Sequence, residues 1–248
     1  MATLTRRRSE RPDPDQMTLV EHLAELRRRL IVSIVFFAVA VIVAYVLYGH
    51  ILSLLTHPYC VLQPHHCNLV VLAPLDGFGI RLDIAGYGGL LLASPVLLWQ
   101  LWGFVTPGLK AREKRYAIPF VAASVGLFVL GAFVAWLTFP HALGFLKAVG
   151  GNQLTTYYTA QKYLSLILLL MAIFGATFEF PVLLVALELA GVLSPQKLAR
   201  FRRWAIVIIV CVAAIVTPSS DPFSMLALAI PMIVFYELSI VIGRLAKR

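Results

Sequence analysis

Apolar residues run in long blocks along this chain, and the charges between them fall in short tracts. A hydrocarbon core about 30 Å thick needs roughly 20 helical residues to cross it. Bounded by the nearest charges, six blocks qualify as candidate membrane spans. The first covers residues 30–48, the second lies between Asp83 and Lys110, and the third between Arg115 and Lys147. The fourth begins after Lys162 and reaches the Leu187 region, interrupted by Glu179. The fifth lies between Arg203 and Asp221, with 14 uncharged residues (204–217) ahead of the turn proline Pro218. The sixth has 15 uncharged residues between Asp221 and Glu237 and continues to Gly243. Fourteen helical residues cover about 21 Å, so the last pair reads as a short hairpin around the polar turn Thr217-Pro218-Ser219-Ser220-Asp221-Pro222.

Local signals refine this outline. Thr18-Leu19-Val20-Glu21 matches a capping box ahead of span one, and Leu19, Leu23, Leu26 and Leu30 recur at helical spacing. Residues 1–16, rich in Arg, Pro and Asp, read as a disordered tail, and residues 244–248 as a second short tail. The first apolar block is longer than the core of a secretory signal, and no small-x-small cleavage pattern follows it, so it reads as a retained span. Pro95, Pro119, Pro181 and Pro231 fall inside spans. Each removes an amide donor and can bend its helix, which favours a concave bundle over a straight one.

Composition agrees. Of 248 residues, 60% are hydrophobic and 13% charged, about half the charge a soluble domain carries. The formal net charge of +9 is dispersed in tracts between apolar blocks rather than gathered on one face, which points to an anionic membrane leaflet and away from nucleic acid. Seven Lys and Arg precede span one, four lie between Lys110 and Arg115, four between Lys197 and Arg203, and three follow Gly243. The alternate loops hold only Arg81, Lys147 and Lys162. That asymmetry predicts cytoplasmic N- and C-termini.

Few polar residues are placed to do chemistry. Glu179, in Phe178-Glu179-Phe180-Pro181, lies deep in an apolar span, where an acid costs roughly 2.5–3.5 kcal/mol and marks a functional candidate. Glu25 and Glu113 lie on the basic side, where each could pair with neighbouring Arg or Lys or receive a guanidinium through two parallel bonds. Asp76, Arg81 and Asp83 flank the start of span two, and ion pairing at the interface is the simplest account of them. Asp221 reads as a turn residue, and Glu237 as an acid near the inner interface. Cys60 and Cys67 lie in the first loop, open to a disulfide, to two free thiols, or to a metal site with His57, His65 and His66. Phosphate-binding loop, nucleophile-elbow and His-Glu-x-x-His signatures are missing, so neither an enzyme nor a cofactor is expected.

Five separated motifs then bear on identity: Leu23-Ala24-Glu25-Leu26-Arg27-Arg28-Arg29-Leu30; the run from Ser94-Pro95 through Gln100-Leu101-Trp102-Gly103-Phe104-Val105-Thr106-Pro107-Gly108-Leu109; Phe174-Gly175 with Phe178-Glu179-Phe180-Pro181-Val182; Thr217-Pro218-Ser219-Ser220-Asp221-Pro222-Phe223-Ser224; and Ala229-Ile230-Pro231-Met232. With these the chain, over residues 17–243, resembles the TatC family of the twin-arginine protein translocase. The resemblance implies an all-α integral membrane fold of six transmembrane helices, kinked into a concave bundle with the last two short. It implies a receptor in the bacterial inner membrane that binds Arg-Arg signal peptides of folded cargo. It also implies a hetero-oligomer, in several copies, with single-span TatA- and TatB-type partners, driven by the proton-motive force. By motif, Glu25 and Glu113 match the carboxylates implicated in arginine recognition, with Arg27, Phe104 and Pro107 adjoining. Pro58 matches the proline of the first external loop, Glu179 the intramembrane acid facing a partner helix, and Asp221 the hairpin acid. Met225 stands where some members carry Gln, and the Cys60 and Cys67 loop is no hallmark of the family.

Overall fold

The computed structural model describes residues 19–62, 67, 69–105, 117–151, 158–189, 191–218 and 221–246. The N-terminal tail, the capping threonine Thr18, His65, His66, the loop containing Glu113, and Ser219 and Ser220 lie outside them. Eight helices follow in order: α1 (Leu19–Val46), α2 (Tyr48–Leu62), α3 (Asp76–Val105), α4 (Ala117–Gly150), α5 (Ala160–Phe178), α6 (Phe180–Leu189), α7 (Pro195–Val216) and α8 (Pro222–Ala246). Five stretches among the described residues are long and apolar enough to cross a membrane: His22–Val46, Asp76–Phe104, Ile118–Gly150, Ala160–Leu189 and Pro222–Leu245. The fourth joins α5 and α6 across a break at Glu179. With α7 these make six transmembrane helices in an all-α integral membrane fold.

Small residues set how closely the helices pack. A Cβ on Gly89 of α3 would stand 2.7 Å from Val41 Cγ2 of α1, and one on Gly131 of α4 would stand 2.6 Å from the Phe174 carbonyl oxygen of α5. Without a hydrophobic difference between lipid tails and apolar side chains, such close backbone approaches are what membrane helices use to associate. Phe139, Tyr163, Leu164, Ile167 and Phe174 fill the interior of the α4–α5 pair. The Tyr163 hydroxyl donates to the Leu55 carbonyl of α2 at 2.9 Å, and the Tyr236 hydroxyl of α8 to the Leu198 carbonyl of α7 at 2.9 Å. Each phenol thereby satisfies its polar end while burying its ring. Many apolar side chains on α1 point outward, Ile34, Val39 and Ile42 among them, as a lipid-facing surface requires.

Sequence also explains where helices stop. Gly151 and Gly191 both adopt a φ of 77°, the left-handed conformation that glycine takes without a Cβ penalty. They close α4 and α6, with amides returning to Ala148 and Glu188. Ser194 caps α7 by accepting from the Lys197 amide at 3.3 Å, and Pro195 follows at the first helical position.

Several expectations need correction. The segment read only as the first loop opens with the 15-residue helix α2, which carries Pro58. Helices α7 and α8 run for 22 and 25 residues; counting only to the nearest charge understated them, because Lys197, Arg202, Arg203, Glu237 and Arg244 are themselves helical. Pro119 and Pro181 sit in the first turns of α4 and α6, where a missing amide costs little, while Pro58, Pro95, Pro140 and Pro231 lie within helices. Ion pairing does not describe Asp76, Arg81 and Asp83. Asp76 accepts from the Leu72 and Ala73 amides, Arg81 packs over the Tyr48 ring at 4.7 Å, and Asp83 accepts from Ser165 Oγ at 2.6 Å. No ion pair joins these three among the described residues; aromatic faces, hydroxyls and backbone amides of neighbouring segments receive them instead. Glu237 is half-exposed and pairs with Arg202 Nε at 2.6 Å.

Candidate functional site

Helices α1 and α3 run antiparallel, with Val41 against Gly89 and Ala44 against Gly88. That packing brings the N-terminal turns of α1 beside the last turns of α3. Glu25, Arg28, Arg29, Val32 and Gln100 line a pocket of about 310 Å³ between them. Arg29 lies one helical turn after Glu25, and its Nε and Nη2 both donate to Glu25 Oε1, at 3.0 and 2.5 Å. Its Nη1 reaches Gln100 Oε1 at 3.4 Å. The guanidinium also presses on Gly103, where any Cβ would collide with Nη1. Glu25 Oε2 is buried and receives no hydrogen bond among the described residues. This carboxylate is therefore half engaged, with one oxygen filled and the other shielded from water.

Phe104 stacks on His22 with ring centroids 4.4 Å apart and closes the same end of the α1–α3 pair. Arg27 is exposed. Glu113 and Pro107 lie outside the described residues. A half-satisfied carboxylate beside cations and an aromatic ring is suited to receive a guanidinium, which presents paired N–H donors to two oxygens.

A second polar position lies within the spans. Glu179 occupies the break between α5 and α6, its amide returning to the Ala176 carbonyl at 3.2 Å. Both carboxyl oxygens are buried and, among the described residues, receive no hydrogen bond of ordinary geometry, while the Ser124 hydroxyl of α4 lies near enough to interact with them. Ser124 in turn accepts from Trp102 Nε1 at 2.5 Å. Trp102 is two residues from Gln100 on α3, so one helix serves both polar positions. Just beyond Glu179, Pro181 and Val182 help line an apolar groove of about 270 Å³ with Pro119, Phe120, Phe235 and Ile242.

The remaining expected residues are scattered. Pro58 is buried within α2. Asp221 is 1% exposed and caps α8, its Oδ1 accepting from the Ser224 amide at 2.7 Å. Cys60 and Cys67 are joined as a disulfide with Cα atoms 4.7 Å apart, and His57 lies against the Trp136 ring. Sequence reading missed Arg29, Gln100, Ser124 and Trp102 as participants. It also missed Glu188, a second acid within the spans, which is fully buried against Gly243. Only the i, i+4 spacing of Glu25 and Arg29 was a readable signal; the others depend on which helices meet.

Comparison with known proteins bears on the chain as a whole. Residues 21–231 match the family model described as Sec-independent protein translocase protein (TatC). A protein of that name from Aquifex aeolicus is 40% identical over 235 residues, covering 94% of this chain and 97% of its own. Another from Frankia casuarinae is 40% identical over 259 residues, covering all of this chain and 71% of its own. A crystal structure of the twin arginine translocase receptor TatC superposes with a TM-score of 0.77 at 39% identity, covering 92% of this chain and 100% of that one. Fold, motifs and full-length similarity converge: the chain belongs to the TatC family of Sec-independent protein translocase subunits.

Proposed function

We propose that this chain is the receptor and core subunit of a twin-arginine translocase. It binds the Arg-Arg segment of signal peptides on folded cargo and assembles with single-span TatA- and TatB-type subunits for export driven by the proton-motive force. The observation that carries this reading is the Glu25 carboxylate, held at the end of the α1–α3 pair with Oε2 buried and unfilled among the described residues. One guanidinium of the peptide pairs with Glu25 and the other with Glu113, while Phe104 and Arg27 border the path of the peptide. The basic tracts support an orientation with this end at the cytoplasmic face of a bacterial inner membrane and both termini inside. The membrane domain is residues 17–243. The chain carries no chemistry of its own and needs no cofactor: its work is recognition and assembly.

The apolar stretch of the peptide inserts towards Glu179, where a polar group of a partner helix docks. A buried acid beside Ser124 and an apolar groove is suited to such a contact. Crosslinking in native membranes tests the proposal, comparing peptides bearing Arg-Arg and Lys-Lys. Preferential labelling by Arg-Arg, lost in the Glu25→Gln, Glu113→Gln double variant, is the expected result. Equal labelling of the two peptides would overturn it.

A further inference from the structure

Glu25 is already holding a guanidinium. Arg29 grips Oε1 through two N–H groups, at 3.0 and 2.5 Å, and so occupies one of the two oxygens an arriving arginine would seek. Three contacts fix it there: the carboxylate, Gln100 Oε1, and the bare backbone of Gly103, which has no Cβ to push it away. The pair is only about a quarter exposed, 24% for Arg29 and 22% for Glu25, so water screens it less than a surface pair.

We infer that Arg29 is a tethered competitor for the ligand's guanidinium, lowering the receptor's affinity and speeding release. The inference rests on the receptor reading above and adds a residue that sets its strength. A bidentate ligand needs both oxygens of the carboxylate. Among the described residues Oε2 is unfilled but Oε1 is taken, so the arriving group must displace Nε and Nη2 before both of its bonds form. Arg29 is attached one turn away with Glu on its N-terminal side, the favourable order for such a pair. A tethered partner acts at high effective concentration and recaptures the oxygen as soon as the ligand loosens. The displaced Arg29 keeps the Gln100 amide oxygen as an acceptor and a quarter of its side chain exposed, so its exchange does not leave the guanidinium without a polar partner. A transport receptor must let its cargo go, and this contact supplies an internal means of doing so.

The test is a titration of Arg-Arg signal peptide by photocrosslinking, with the full chain in native membranes. Two variants approach the contact differently. Arg29→Gln removes the competitor. Gly103→Ala keeps its charge but places a Cβ where Nη1 lies, pushing the flexible guanidinium aside, and alanine suits a helix better than glycine does. Both are expected to lower the half-saturating peptide concentration severalfold. The gain is expected to vanish when Arg29→Gln is made in a Glu25→Gln background, since competition needs the carboxylate. An unchanged or raised half-saturation in Arg29→Gln, or a gain that survives without Glu25, overturns the inference. Should Arg29→Gln fail to accumulate, Gly103→Ala decides alone, and unchanged or weaker binding there overturns it. The receptor reading fails separately, on the wild-type chain, if Arg-Arg and Lys-Lys peptides label equally.

Discussion

The Trp102 indole donates to the Ser124 hydroxyl across 2.5 Å, with both side chains buried at the contact of α3 and α4. Ser124 also adjoins Glu179, so one hydroxyl stands between an aromatic donor from α3 and the acid at the α5–α6 break.

Ser124→Ala should therefore destabilise the chain by about 1–3 kcal/mol, the usual cost of removing one partner from a buried hydrogen bond. Thermal denaturation of the purified protein in detergent measures it. An unchanged midpoint would mean that the bond contributes nothing to stability.

Two glycines of α4 make a matched pair. A Cβ on Gly131 meets the Phe174 carbonyl at 2.6 Å, while one on Gly144 meets nothing within 4 Å. Gly131→Ala should lower stability by about 1–3 kcal/mol through overpacking against backbone that cannot step aside. Gly144→Ala should be neutral or stabilising by up to about 1 kcal/mol from helix propensity. Equal melting temperatures for the two variants would refute the close α4–α5 approach.

Asp221 offers a way to separate a helix cap from a functional acid. Its Oδ1 accepts from the Ser224 amide at 2.7 Å at the start of α8. Asp221→Ala should cost about 0.5–2 kcal/mol, and Asp221→Asn much less, because asparagine caps as well as aspartate does. Full export by the asparagine variant in a cargo-transport assay would place the role in capping. Lost export with unchanged stability would place it in the charge.

Bridged Cys60 and Cys67 leave Cys211 as the free thiol among the described residues. Maleimide labelling of the unreduced, denatured chain should modify one cysteine per molecule, rising to three after reduction, the full complement of the sequence. Three labels without reductant would show that the pair is open in the membrane. Oxidation also requires that the first loop face an oxidising compartment, so the same assay bears on orientation.

Much of the fold was legible from the chain because lipid imposes so simple a rule. A span must be long, apolar and helical throughout, and the blocks around residues 30–48, 118–146 and 163–187 meet that rule without reference to anything else. Charge-bounded reading failed where a helix continues through its charges, as α7 does from Pro195 past Arg203. It also passed over α2, whose 15 residues are too few to cross a bilayer and which is held instead through Tyr163 and Trp136.

The sequence by itself determined the membrane class, the count of spans, the basic face, and Glu179 as an acid worth explaining. Each of these follows from local composition and spacing, because transfer into lipid acts on every residue separately. Glu25 was singled out by motif resemblance rather than by spacing. Tertiary structure alone decided that Glu25 is half occupied by Arg29, that Gln100 and Gly103 shape the pocket around it, and that Trp102 and Ser124 meet beside Glu179. Glu188 against Gly243 belongs with them. Those pairings join helices that lie far apart in the chain. What fixes them is the depth at which glycine and alanine let two backbones approach, and no single segment carries that information.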